Sequence, residues 1–123
     1  MQAHARRWIY VAAVYFSLAL MLGLFMSVSA DHSLRSVHAH LHLVGWLSMA
    51  MIGVIYHFFP RAGASLLAAV QFWMYQTGLP LMMVALAFYL KGYQGVVPLL
   101  GLGSVLVLLS GCLFAGNLLW RHA

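Results

Sequence analysis

The chain has 123 residues and a formal charge of +5, yet only 6% of its side chains are Asp, Glu, Lys or Arg and 65% are hydrophobic. Water-soluble domains carry roughly 25% charged residues, so this composition excludes a globular protein in water and leaves the lipid bilayer as solvent. The basic residues are scattered and never clustered, which excludes a nucleic-acid partner.

Four apolar runs follow one another at 8–29, 37–59, 65–90 and 95–120. Each exceeds the ~20 residues a helix needs to cross the hydrocarbon core. The turns between them are short, so consecutive helices are expected to be antiparallel neighbours. The reading is an all-α bundle of four transmembrane helices, with residues 1–123 forming one membrane domain.

The first span follows Arg6 and Arg7 and ends in "VSA" before Asp31, a pattern that resembles a secretory signal cleaved after Ala30. Its apolar stretch is longer than a usual signal core, so it is read as a retained span. In the third span, Gly78 and Pro80 predict a kink, with Gln71, Gln76 and Thr77 satisfying the freed backbone groups. In the fourth, Gly111 with Ala115, alongside Gly101, Gly103, Ser104 and Gly116, permits close helix contacts within the bundle or between subunits. Cys112 is alone, so no intrachain disulfide can form, and it reads as a small packing residue.

With both termini on one face, that face holds Arg6, Arg7, Arg61 and Arg121, against Arg35 and Lys91 on the other. The balance predicts cytoplasmic termini, in what is expected to be a bacterial inner membrane. His38, His40 and His42 then lie towards the outer face and His57 at the inner one. His32 reads as a surface residue, His57 as snorkelling to the headgroups, and His4 and His122 as solvated.

The second span carries the chemistry. A histidine in hydrocarbon is costly without a partner and marks a functional site by default. At about 100° per residue, His38, His42, Gly45, Met49, Gly53 and Tyr56 share one face. His40 lies about 200° from His38, with Leu47, Met51, Val54 and Phe58. His38 and His40 of one helix therefore cannot hold one metal ion, whereas His38 and His42 can. Gly45 and Gly53 leave a flat recess for another helix or a planar ring.

Four readings compete for these histidines. They sit at the interface bonding water, headgroups or Asp31; or His38 and His42 form a zinc or copper site, completed by His32 or another subunit. The others are a proton relay, which the near absence of carboxylates disfavours, and the axial ligation of haem.

The run "HAHLHLVGWLSMAMIGVIYHFFPR" resembles the tenth transmembrane helix of the catalytic subunit of haem–copper oxidases and the related nitric oxide reductases. That helix opens with His-x-His, matched by His38–Ala39–His40, and closes with a proline, matched by Pro60. Gly53, His57 and Phe59 match the oxidase branch; Gly45, Met49 and Pro60–Arg61 look more like the reductase branch. The resemblance implies haem b, with His38 facing a reactive haem, His40 a low-spin haem, and Gly45, Trp46, Met49 and Gly53 packing on the macrocycle. It also implies that Lys91, with Arg35 beside the cluster, meets haem propionates. The chain departs from the family in lacking a His–His pair, the second axial histidine and the proton-channel acids. One copy is therefore not a complete oxygen or NO reductase. His42 is an addition to the pair and a candidate for a missing ligand.

Missing ligands predict assembly as a homo-oligomer: a trimer that echoes the family's threefold arrangement of helices, or a dimer sharing one haem. The expected function is electron transfer or NO/O₂ chemistry on haem b, with a quinone or cytochrome as redox partner. The alternative is a copper- or zinc-binding membrane accessory protein without haem.

Overall fold

Hydrocarbon offers a backbone no water, so each apolar run closes its own hydrogen-bond ladder as a helix. In the computed structural model, which describes residues 1–121, the chain order is α1 (Ala3–Ser29), α2 (Arg35–Phe58), a short α3 (Pro60–Gly63), α4 (Leu66–Leu90) and α5 (Val97–Trp120). His122 lies outside the described residues. The four long helices are each long and apolar enough to cross a membrane, and there is no strand among the described residues. This is an integral membrane four-helix bundle. The bounds follow the expected spans closely, save that α1 begins at Ala3 rather than Trp8 and takes in Arg6 and Arg7.

The turns explain themselves locally. Ala30 closes α1 in the left-handed region (φ 57°). The Ser33 N–H then donates to Asp31 Oδ1 at 3.0 Å. Lys91 Nζ, beyond the end of α4, donates to Asp31 Oδ2 at 3.1 Å and Ser33 Oγ at 2.7 Å, tying the two turns at this end together. Pro60, whose ring disfavours a helical Phe59, ends α2 and starts α3. Ser65 caps α4 by accepting from the Ala68 N–H at 3.1 Å. Gly92 takes φ +100° in the last turn, a conformation that favours glycine.

Trp8 is fully buried and joins three helices: its ring lies 6.3 Å from Tyr56 of α2, and 4.9 and 5.6 Å from Phe72 and Tyr75 of α4. The end that holds both termini is polar inside. Tyr56 Oη donates to Gln71 Oε1 at 2.6 Å, and Asn117 Nδ2 donates to the Ala62 carbonyl at 3.0 Å. Ser110 Oγ donates to the Gln71 carbonyl at 2.8 Å. Four buried side-chain nitrogens here, His4 Nε2, Arg7 Nε, Trp8 Nε1 and Gln71 Nε2, have no hydrogen-bond partner among the described residues.

Helix α5 meets α4 along a narrow seam of Gly103, Ser110 and Asn117, its buried residues, seven apart. Gly78 and Gly103 face each other there: a Cβ on Gly103 would stand 2.6 Å from the Met82 nitrogen and 2.9 Å from the Gly78 carbonyl oxygen. Of the small residues expected to make contacts within the bundle or between subunits, Gly103 does so within the bundle, whereas a Cβ on Gly101, Gly111 or Gly116 would meet nothing within 4 Å among the described residues of the chain. In α4 the role expected of the glutamines needs correction: the helix continues through Pro80, and the side chains of Gln71 and Gln76 bond to Tyr56 and Met49 of α2 rather than to freed backbone groups. Thr77 is exposed.

Gly103→Ala should cost about 1–3 kcal/mol, because backbone on both sides of the contact has to move. Gly111→Ala should be neutral or slightly stabilising, since its methyl meets nothing and Ala favours helix. Thermal unfolding in detergent micelles checks both.

Candidate functional site

Helix α2 is not uniformly wound. It is α-helical over Arg35–His40, opens to i→i+5 bonding over Leu41–Leu47, and returns to α over Ser48–Phe58. The wheel at constant pitch is thereby corrected. The buried stripe steps by four residues through the wide segment (Val37, Leu41, Gly45, Met49) and then continues through Ile52, Gly53 and Tyr56. A wider turn holds residues four apart in line, where α winding would rotate them out of the core.

Widening frees a carbonyl. The Ser48 N–H reaches back five residues to the Leu43 carbonyl, which also accepts from Ser48 Oγ at 2.7 Å. The Val44 carbonyl, which an α-helical Ser48 would take, accepts instead from the buried Tyr75 hydroxyl at 2.7 Å. Nothing in "LHLVGWL" signals this, and the roles of Tyr75 and Ser48 were invisible to pattern reading.

The histidines divide as the wheel predicts. The His38 and His42 rings stand edge to face, 4.7 Å apart and 87° inclined. The pair faces α1: a Cβ on Gly23 would come 2.9 Å from His38 Nε2, and Phe16 lies 6.2 Å from His42 and 4.8 Å from Trp46. His40 is half-buried, and its Nδ1 lies 2.7 Å from the Ser36 carbonyl oxygen one turn back. A carbonyl only accepts, so Nδ1 carries the proton and Nε2 keeps its lone pair, the arrangement usual for an imidazole that ligates a metal. Its side of α2 continues through exposed Leu43, Leu47, Met51, Val54 and Phe58.

The recess at Gly45 and Gly53 is taken by α1. Tyr15 packs on Gly45, while Ile9, Trp8 and the Ala5 carbonyl pack on Gly53, all within 3.1 Å of where a Cβ would stand. Met49 is fully buried, and its sulfur accepts from Gln76 Nε2 at 3.1 Å. Trp46 packs on Phe16. These four residues thus serve the contacts of α2 with α1 and α4.

The cations differ. Lys91 is engaged by Asp31, whereas Arg35 is exposed and makes no ion pair among the described residues. The Asp31 carboxyl is held down at about 2, by the backbone N–H and hydroxyl of Ser33 foremost and then by Lys91. No three of His, Cys, Asp and Glu come together among the described residues. At the other end, exposed His57 lies 5.1 Å from Phe58 and shares a cavity of about 300 Å³ with His4. His4, expected to be solvated, is instead half-buried with its Nε2 against Gly63.

Comparison of the chain with protein-family models, curated proteins and solved structures finds no match.

Tyr75→Phe should leave the Val44 carbonyl unpaired in the bundle and lower stability by about 1–3 kcal/mol in micelle unfolding. A carboxyl held below its ordinary value stabilises the fold above about 3.8, and that contribution is lost as pH falls through about 2. The melting midpoint should therefore drop across this window in the wild type, and drop less in Asp31→Asn.

Proposed function

We propose that this membrane protein binds haem b through His40 Nε2 and carries electrons, with the second axial imidazole supplied by His40 of a second copy. The observation that carries the reading is the Nδ1–H bond to the Ser36 carbonyl, which fixes tautomer and ring orientation and leaves the other nitrogen unprotonated. The side of α2 around it is apolar and not covered by another helix of the chain, as a lipid-soluble macrocycle shared between two copies requires. The resemblance of "HAHLHLVGWLSMAMIGVIYHFFPR" to the haem–copper oxidase helix supports the same residue as a low-spin ligand.

The haem would supply a one-electron couple within the bilayer. The chain's part is to present an oriented imidazole, to exclude water with Leu43 and Leu47, and to offer Arg35 to an anionic propionate. Arg35 suits that task better than Lys91, whose charge Asp31 already meets. His38 and His42 face α1, whereas the side of α2 beside His40 is exposed, so the proposal places haem on the His40 side. It favours an electron carrier over an open iron for NO or O₂. A quinone or a cytochrome of the bacterial inner membrane would be the redox partner. Two like ligands from two copies call for a two-fold dimer rather than a trimer.

A reduced-minus-oxidised spectrum with pyridine haemochrome analysis tests this. Sharp bands of haem b, unchanged by CO, are expected at one haem per two chains. His40→Ala should abolish them and His38→Ala should leave them. A second reading rests on the edge-to-face pair His38 and His42, two of the ligands a copper or zinc ion needs. Protein that stays colourless with added haem, yet carries copper or zinc that His42→Ala removes, would establish that reading instead.

A further inference from the structure

The end of the bundle that holds both termini carries four arginines and no acidic side chain, since Asp31, the chain's one acid, is bound to Lys91 at the opposite end. Two of the four have aromatic neighbours: the Arg7 guanidinium lies 4.1 Å from the Phe72 ring centre, and that of Arg6 lies 6.0 Å from Tyr10. The other two, Arg61 and Arg121, line one cavity of about 450 Å³ together with Trp120. Neither has an ion pair, a side-chain hydrogen bond or a ring partner among the described residues.

The cavity has a fixed frame. Arg61 sits on α3 next to Ala62, whose carbonyl accepts from both Ser65 Oγ at 2.7 Å and Asn117 Nδ2 at 3.0 Å. Asn117 in turn accepts the Arg121 N–H at its carbonyl, at 2.9 Å. A buried asparagine thus links the backbone of Arg121 to that of Ala62, the residue after Arg61. Guanidinium stays protonated at any working pH and offers planar pairs of donors that match phosphate oxygens. Trp120 is 82% exposed at the end of a transmembrane helix, the position where an indole sits at headgroup level.

We propose that Arg61 and Arg121 bind the phosphate of an anionic lipid headgroup, with the Trp120 indole against the glycerol region. The site is independent of haem. It reads one lipid class at one end of the bundle, beyond the general attraction of basic ends to a charged leaflet.

Native mass spectrometry and thermal unfolding of the full chain in neutral detergent, titrated with phosphatidylglycerol or phosphatidylcholine, test this. Phosphatidylglycerol should be retained and should raise the melting midpoint, whereas phosphatidylcholine should not. Arg61→Gln combined with Arg121→Gln should weaken phosphatidylglycerol binding roughly tenfold or more. Replacing both by Lys should weaken it less, and Arg6→Gln should leave it unchanged. Circular dichroism establishes that the variants are folded. Equal retention of the two lipids, or an undiminished affinity in the folded Gln variant, would overturn the proposal. Displacement of the lipid by millimolar inorganic phosphate would overturn the lipid assignment in favour of a soluble phosphate.

Discussion

A polar group inside hydrocarbon has no water to fall back on, and the placement of nearly every hydrogen bond in this bundle follows from that. The widened turn of α2 is the clearest case. It keeps Val37, Leu41, Gly45 and Met49 facing inward, but it releases the Val44 carbonyl, which the Tyr75 hydroxyl from α4 then satisfies. One local change of winding thus fixes where α4 stands against α2. The same constraint gathers Tyr56, Gln71, Ser110 and Asn117 into one cluster at the terminal end and ties α5 to α2 and α4.

The packing of α1 decides which histidines are open. Glycine on α2 invites close approach, and the backbone and side chains of α1 fill both Gly45 and Gly53. Reciprocally, Gly23 on α1 leaves room for the His38 ring. His38 and His42 consequently face α1, while His40, equally half-buried, lies on the side of α2 that carries exposed Leu43 and Leu47. The proposed haem reading therefore rests on one histidine per chain, and a second copy becomes a chemical requirement of axial ligation.

How much of this was legible follows from the physics of each feature. The four spans are visible because crossing hydrocarbon demands long apolar runs, and the division of His38 and His42 from His40 survives because two residues are always far apart on a helix of any pitch. The over-wide segment is not visible, since leucine, valine, glycine and tryptophan suit either winding and the choice is made by Tyr75, some thirty residues away in sequence. Glycines announce close contact without naming the occupant, so Gly45 and Gly53 read equally as seats for a ring or for α1. The Lys91–Asp31 pair was available from counting alone, there being one acid, yet resemblance drew Lys91 towards a propionate instead.

The two ends of the bundle handle charge in opposite ways, and the difference bears on what each can bind. At the turn end the single carboxylate is spent on Lys91 and Ser33, which leaves Arg35 as the cation beside the histidines. At the terminal end four arginines meet no acidic side chain among the described residues, and two of them lie near aromatic rings. Lipid phosphate at one end and an anionic cofactor edge at the other are the anions a bilayer supplies. In the two proposals, Arg61 and Arg121 are accordingly assigned to a lipid phosphate and Arg35 to an anionic cofactor edge.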